Sequence, residues 1–177
     1  MPFSQEPAKI NVKLSERRDL HFDSLAEVLA DAEATAAASP RTTGNWSAGQ
    51  VYHHVAFGIE MMSKGVDVPV TLRMKVFGRG LRLFGMHVKP IDPGINPPAK
   101  VAAVFRPPDD VTLEAGLQKL RDEIAYAQEH GLTHPSPLFG RMSADDAVAM
   151  QCRHAELHFS FVHPGSGGAA GEADPAA

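Results

Sequence analysis

The sequence is poor in the features that mark several large classes of protein. Its 177 residues include one cysteine, Cys152, so no disulfide can form within the chain, which fits a reducing compartment. No apolar run approaches the ~20 residues of a membrane-spanning helix. The N-terminus also lacks the apolar stretch after a basic start that marks a secretory signal. We therefore expect a soluble, cytoplasmic protein.

Positive charge and nucleotide-binding motifs are scarce as well. The net charge is −4 with histidine neutral, and we expect neither a nucleic acid nor a membrane as a partner. The chain has no phosphate-binding loop, no dinucleotide fingerprint and no His-Glu-x-x-His motif. Hydrophobic residues make up 44% of the chain, enough for one packed domain. We place this domain at residues 1–163 and expect the Gly-, Ala- and Pro-rich tail, 164–177, to be disordered.

Helix signals recur along the chain, whereas alternating strand patterns are nearly absent. Capping boxes that begin at Ser24 and Ser47 predict two helix starts. A regular apolar stripe predicts a third helix from Thr112 to His130, and a fourth opens at Ser143. Four substantial helices of this kind predict an all-α four-helix bundle. On the fourth helix, Asp146, Arg153 and Glu156 should face water.

The segment between the second and third helices is the hardest to interpret. From Val70 to Met86 it is basic and apolar, which predicts a short helix broken around Gly78 and Gly80. From Lys89 to Asp110 it contains six prolines, which predict a long irregular crossover. The 70–86 part has three interpretations. In the first, which we favour, the segment packs on the core with snorkelling arginines. In the second it covers a site or forms a dimer contact. In the third it binds an anionic ligand or a membrane surface.

Three histidines carry the strongest indication of chemistry. His154 and His158 lie four residues apart, on one face of the fourth helix. His54 lies on the apolar second helix, and His53 points about 100° away from it. Three imidazoles from two facing helices can hold one divalent metal and leave a coordination position open. The alternative is a set of ordinary packed histidines.

Other polar residues near these positions are weaker candidates. Gln50 and Gln151 share helix faces with the histidines and can orient ligands, although we slightly favour capping or a polar core contact as their role. His134 is a further candidate for lining the site. We interpret Cys152 as a small core residue. No residue stands out as a general base or a nucleophile, so the catalytic residues stay unassigned.

The histidines lie in segments that resemble a known family. Trp46-Ser-Ala-Gly-Gln-Val-Tyr-His-His54 looks like the second-helix motif of the DinB-like (DinB/YfiT) four-helix metalloproteins, in which a tryptophan precedes the first metal histidine by eight positions. Arg153-His154-Ala-Glu-Leu-His158 is similar to their fourth-helix motif. The segment from His134-Pro135 to Ser143, which leads into the fourth helix, resembles the corresponding segment in an uncharacterised branch of this superfamily. The resemblance covers residues 18–163 and selects His54 over His53.

The resemblance implies both a fold and a chemistry. It implies an up-down-down-up bundle with one long crossover, a divalent ion (Zn, Ni, Fe or Mn) on the three histidines, and a homodimer. Characterised relatives include thiol-dependent S-transferases and a maleylpyruvate isomerase. For this chain we expect transfer of a low-molecular-weight thiol to an electrophile, or hydrolysis, on a small-molecule substrate. The alternative is a non-enzymatic bundle that binds a metal or small molecule, or dimerises. Metal affinity should fall as the pH drops through ~6.5, because protonated imidazole cannot coordinate.

Overall fold

The residues that the structure describes form six helices and one two-stranded ribbon, which confirms the all-α class. The computed structural model describes residues 16–66, 68, 70–85, 88–91, 93 and 99–165. Most of the predicted disordered tail, from residue 166 onward, lies outside the described residues. The helices are α1 (Leu25–Ala37), α2 (Ala48–Ser63), α3 (Leu72–Leu83), α4 (Ala99–Phe105), α5 (Leu113–His130) and α6 (Ala144–Phe159). The strands are β1 (Arg41–Thr42) and β2 (Val162–His163).

Side-chain caps fix where the four long helices begin. The hydroxyl of Ser24 accepts a hydrogen bond from the backbone of Glu27, and Ser143 caps α6 in the same way. Ser47 and Gln50 form a complete capping box, as predicted. Thr112 caps α5 through the backbone N–H of Ala115. These short polar residues satisfy N–H groups that have no partner within the helix, which is why the sequence marks the helix starts so clearly.

Helices α2 and α5 run side by side in the same direction and form the tightest pair. At their first turns two glycines meet: a Cβ on Gly116 would lie 2.1 Å from the backbone oxygen of Gly49. Toward the end of α2, Glu60 pairs with Lys119 of α5 at 2.6 Å, and Lys64 pairs with Glu123 of α5 at 2.8 Å. The absence of side chains at the first contact lets the two backbones approach closely.

The directions of α1 and α6 complete the bundle. Helix α6 is antiparallel to α2, because His54 lies near His158 while Met62 contacts Gln151. The antiparallel pairing of β1 with β2 joins the C-terminal ends of α1 and α6. Helices α1 and α6 therefore point one way and α2 and α5 the other, which confirms the up-down-down-up order.

The main hydrophobic core lies between the four long helices, and a smaller apolar cluster forms around Met62 and Met150. The largest fully buried side chains of the main core include Tyr52, Phe159, Ile59, Leu120 and Ile124. The ring of Tyr52 packs edge-on against Phe159 at 5.3 Å between centroids. No helix in the described ranges is long and apolar enough to cross a bilayer.

Two predictions about the crossover are wrong. Helix α3 is not broken at its glycines but runs unbroken over twelve residues. Gly78 is the closest contact of α3 with the loop before α6, since a Cβ there would lie 2.5 Å from the backbone oxygen of Leu138. The crossover is also not wholly irregular, because α4 forms within it.

The prediction that Arg153 and Glu156 face water is also wrong. Both are buried, at 8% and 7% exposure, and they pair with each other at 2.6 Å. The Glu156 carboxylate accepts a hydrogen bond from the backbone of Phe22 at 2.7 Å, and Arg153 donates to the carbonyl of the same residue. The segment before α1 therefore covers this part of α6. A buried ion pair keeps its charges only with such additional hydrogen bonds.

Candidate metal centre

Three histidines from α2 and α6 converge inside the bundle. His54, His154 and His158 each offer a ring nitrogen, and these three atoms lie within 4.8 Å of one another. The centroid distances are 5.0 Å for His54–His154, 4.4 Å for His54–His158 and 4.8 Å for His154–His158. Nitrogens that bind one tetrahedral zinc at 2.0–2.1 Å lie roughly 3.3 Å apart. The three imidazoles can therefore reach a common ion with small side-chain movements.

A backbone carbonyl fixes the orientation of His54. Its Nδ1 donates a hydrogen bond to the carbonyl oxygen of Phe105 at 2.7 Å. Since a carbonyl can only accept, the proton of the neutral ring lies on Nδ1. The Nε2 lone pair then points into the histidine cluster. Metal-binding histidines commonly have this arrangement, in which an outer acceptor sets the tautomer.

His154 and His54 share one proton across the cluster. Their Nε2 atoms lie 3.1 Å apart. Because the Nε2 of His54 carries a lone pair, the Nε2 of His154 is the donor in this contact. Once this proton is displaced, the Nε2 atoms of the two rings are close enough to bind the same ion.

Burial keeps all three imidazoles neutral at physiological pH. Desolvation lowers the pKa of His54 to about 4, against a smaller opposing effect of its hydrogen bond to Phe105. Desolvation, reinforced by the neighbouring His54, lowers the pKa of His154 to about 3. The pKa of His158 is lowered well below its ordinary value for the same reasons. Neutral imidazole is the form that coordinates metals.

Aromatic side chains surround the cluster. The only tryptophan, Trp46, stacks on His158 with 5.6 Å between centroids and lies 4.7 Å from His54. Phe105 packs edge-on against His54 at 6.4 Å and against Phe57 at 6.0 Å. An apolar surround of this kind restricts water and strengthens electrostatic interactions at a bound ion. The cluster therefore has the donors and the surroundings of a metal centre.

The sequence of the domain that builds this cluster matches a known family. Residues 14–165 match the family described as a protein of unknown function, DUF1569. The chain belongs to the DUF1569 family. Comparison with curated proteins and with solved structures gave no match. Within this DUF1569 domain the matched span includes all three histidines and both helices that hold them.

Gly58 and Gln151 lie directly behind His154. A Cβ on Gly58 would lie 2.9 Å from Nδ1 of His154 and 3.1 Å from Oε1 of Gln151. The amide nitrogen of Gln151 donates to the backbone oxygen of Gly58 at 3.0 Å. Its Oε1 is buried and has no hydrogen-bond partner among the described residues. The lack of a side chain on Gly58 leaves the space that His154 and Gln151 occupy.

The remaining candidates lie outside the cluster. Gln50 caps α2 and donates to the carbonyl of Pro108 at 3.1 Å, so its capping role is confirmed. His134 hydrogen-bonds the carbonyl of Ser63 at 3.1 Å and holds the loop before α6. His53 is half-buried and is not in the three-histidine group. Cys152 is fully buried, and burial raises its pKa to about 11, which confirms it as a core residue.

Sequence reasoning missed two components of this site. The carbonyl that orients His54 comes from the last residue of α4, a helix that the prolines of the crossover concealed. The stacking of Trp46 on His158 was also not predicted, because Trp46 lies before the N-cap of α2 and its position depends on how the chain enters the helix. The eight-residue spacing from Trp46 to His54, noted in the family resemblance, was the signal that links this tryptophan to the site.

Proposed function

We propose that this protein is a divalent-metal-dependent enzyme of the DinB-like superfamily. The observation that carries the proposal is the convergence of His54, His154 and His158, with the Nε2 lone pair of His54 already directed into the cluster. In the described part of the chain, this group has three members and no carboxylate or thiol. Three protein ligands leave a position open for water or substrate, as in catalytic metal sites.

The chemistry follows from a neutral ligand set. A bound divalent ion at its open position lowers the pKa of a thiol or a water, which gives a nucleophile near neutral pH. Because imidazoles do not cancel the charge of the ion, the site favours an anionic fourth ligand such as thiolate or hydroxide. Trp46, which stacks on His158, and Phe105, which packs edge-on against His54, shield the cluster from bulk water. Transfer of a small thiol to an electrophile, or hydrolysis, fits this arrangement, with Zn, Ni, Fe or Mn as the ion.

We further assign a positioning role to Gln151. For His154 to coordinate through Nε2, its proton must move to Nδ1. The unpartnered Oε1 of Gln151 lies on the same side of the ring as Nδ1, next to Gly58. This oxygen can accept a hydrogen bond from the protonated Nδ1 of His154. It would then hold the ring in the tautomer that binds the metal through Nε2.

The first test measures metal content and binding in untagged protein. Purified wild type is expected to carry or take up about one divalent ion per chain. His54→Ala, His154→Ala and His158→Ala should each lose it, because two imidazoles do not fill the site. The matched control is His53→Ala, which removes a histidine from the same helix but from outside the cluster. Fluorescence of Trp46 gives a second readout, since paramagnetic Ni²⁺ or Co²⁺ next to its ring quenches emission.

Two outcomes would contradict the metal proposal. One is a wild type that binds none of Zn, Ni, Fe or Mn at neutral pH. The other is an equal loss in His53→Ala and the three ligand variants, which indicates damage to α2 rather than loss of ligands. If the metal binds, the loaded protein is then assayed with a small thiol and an electrophile, and with ester and amide substrates for hydrolysis.

A non-enzymatic metal- or small-molecule-binding bundle is the second candidate. It is favoured by the absence of an acidic group from the histidine cluster within the described residues, because proton transfer in hydrolysis normally uses such a group. The Co²⁺-loaded protein distinguishes the two candidates. Perturbation of its visible spectrum by a small thiol shows an accessible coordination position and supports the enzyme. An inert four-coordinate spectrum supports a structural centre.

A further inference from the structure

Helix α3 carries an unusual concentration of exposed apolar side chains. In the described part of the chain, every strongly exposed large hydrophobic residue lies on α3 or directly after it. Their exposures range from 63% to 86%, and they are Leu72, Val76, Phe77, Leu83 and Phe84. Contiguous exposed apolar surface is rare on soluble proteins and marks a surface that binds something. Core packing, the interpretation favoured from the sequence, does not describe this face of α3.

The apolar face of α3 points directly away from the protein. The helix rests on the loop before α6 through Gly78, which is buried and packs against Leu138. At 100° per residue, Leu72, Val76, Phe77 and Leu83 span an arc of about 140° whose centre lies roughly 170° from Gly78. The five exposed side chains therefore form the outermost surface of this helix rather than the wall of a groove.

The charges of α3 are all of one sign. The helix contains Arg73, Lys75, Arg79 and Arg82 and no acidic residue. The whole chain has 17 basic and 21 acidic residues, so the remainder has 13 − 21 = −8. Three of the four cations, Lys75, Arg79 and Arg82, lie along one flank of the apolar arc. No described residue forms an ion pair with any of the four cations. The helix is thus a local basic surface on an acidic protein.

We propose that α3 docks this protein on the surface of an anionic lipid bilayer. A short helix with leucine and phenylalanine on one side and Lys or Arg on the other lies in the interface of such a bilayer. The basic flank then meets acidic head groups, to which cations near the surface are attracted. A second copy of the chain is a poor occupant, because a symmetric contact through α3 would place its four cations against four more. This proposal replaces the expectation from sequence that no membrane is a partner.

Vesicle co-sedimentation of the full chain tests the proposal. Wild type should bind vesicles that contain equal parts phosphatidylcholine and phosphatidylglycerol, and should bind pure phosphatidylcholine at least about tenfold more weakly. Binding should weaken between about 0.1 M and about 0.5 M NaCl, because salt screens the attraction. Equal binding to both vesicle types, or binding to neither, overturns the proposal.

Two double variants separate the apolar and the charged contributions. Phe77→Ser with Leu83→Ser should reduce binding by more than about tenfold, because both side chains lose burial in the interface. Arg79→Gln with Arg82→Gln, which removes two cations of the basic flank, should reduce it about 25-fold, at about fivefold for each cation. The matched control is Arg41→Gln with Arg106→Gln, two exposed cations outside α3, which should leave binding within about twofold, the spread for cations away from the surface.

The oligomeric state distinguishes docking on lipid from a contact between two copies of the chain through α3. Light scattering of the wild type and of Phe77→Ser with Leu83→Ser should give the same mass. A dimer that the double variant dissociates would overturn the lipid proposal and assign α3 to a contact between copies. Metal content is measured on the same samples. It should not change in any α3 variant, so this test and the test of the metal centre fail independently.

Discussion

Replacing Gly58 by alanine should separate the stability of the bundle from the affinity of the metal centre. An alanine in the interior of a helix normally stabilises it by up to about 1 kcal/mol relative to glycine. Here the added Cβ would lie 2.9 Å from Nδ1 of His154, and 3.0 Å from its Cε1. Ordinary contacts between such atoms begin near 3.5 Å. The ring of His154 must therefore shift by about 0.5 Å, or α2 and α6 must separate by that amount.

A shift of this size matters more for coordination than for folding. Ligand distances in metal sites hold within about 0.2 Å, and a disturbed ligand orientation typically costs 10–100-fold in affinity. We expect Gly58→Ala to bind Zn²⁺ about 10–100-fold more weakly than wild type. Overpacking of about 1–3 kcal/mol, offset by the helix gain, should destabilise the metal-free protein by less than about 2 kcal/mol, or less than about 8 °C in Tm.

The assay is calorimetric titration with Zn²⁺ beside thermal unfolding of the metal-free protein. The matched control is Gly80→Ala on α3, where a Cβ meets nothing within 4 Å. That variant should keep wild-type affinity and gain slightly in stability. If Gly58→Ala keeps an affinity within about twofold of wild type, well short of that loss, while His154→Ala abolishes binding, the steric reasoning is wrong.

Three further predictions concern pH, helix packing and ligand positioning. Because the folded-state pKa of His54, about 4, lies below the unfolded value of about 6.5, the unfolded chain binds protons first. Denaturant titrations should show metal-free stability falling by about 3 kcal/mol for this residue as the pH drops from about 6.5 to about 4. Zn²⁺ affinity should hold well below pH ~6.5, which replaces the expectation from the ordinary histidine pKa, since the lowered pKa values keep the folded rings neutral there; a half-loss near 6.5 would contradict the desolvation argument. In Gly116→Ala the added Cβ would lie 2.1 Å from the backbone oxygen of Gly49. Chemical denaturation should show a free energy of unfolding lower by about 1–3 kcal/mol. An unchanged free energy of unfolding would mean that α2 and α5 adjust freely. Gln151→Leu should weaken Zn²⁺ binding about 10–100-fold in titration, whereas unchanged binding would remove its positioning role.

Local sequence signals predicted the bundle and its histidines well. Helix starts depend on the first few residues, so the serine caps at Ser24, Ser47 and Ser143 were readable without any tertiary information. The i,i+4 spacing likewise places His154 and His158 on one face of their helix, because that relation depends on helix geometry alone. The spacing of the residues could not predict that α2 and α6 pack against each other. That prediction came from the family resemblance.

Long-range packing explains what the sequence did not reveal. Arg153 and Glu156 occupy the polar side of α6, yet the segment around Phe22 folds over them. Helix α4 is seven residues long, too short to show a period. In α3 the amphipathic pattern was visible, but the same pattern suits a helix facing a core and one facing outward. Only the contact at Gly78 decides the direction.

The positions of the three histidines along the chain have a consequence for folding. His54 and His154 are 100 residues apart in sequence, and this chain has a single cysteine with which no internal disulfide is possible. An ion bound by histidines of both helices would act as a cross-link that spans most of the chain. Closing a loop of that length with a permanent cross-link removes roughly 4.7 kcal/mol of chain entropy from the unfolded state. The cross-link can form only after α6 has been synthesised, so it cannot assist the folding of α1 and α2 while the rest of the chain is still being made.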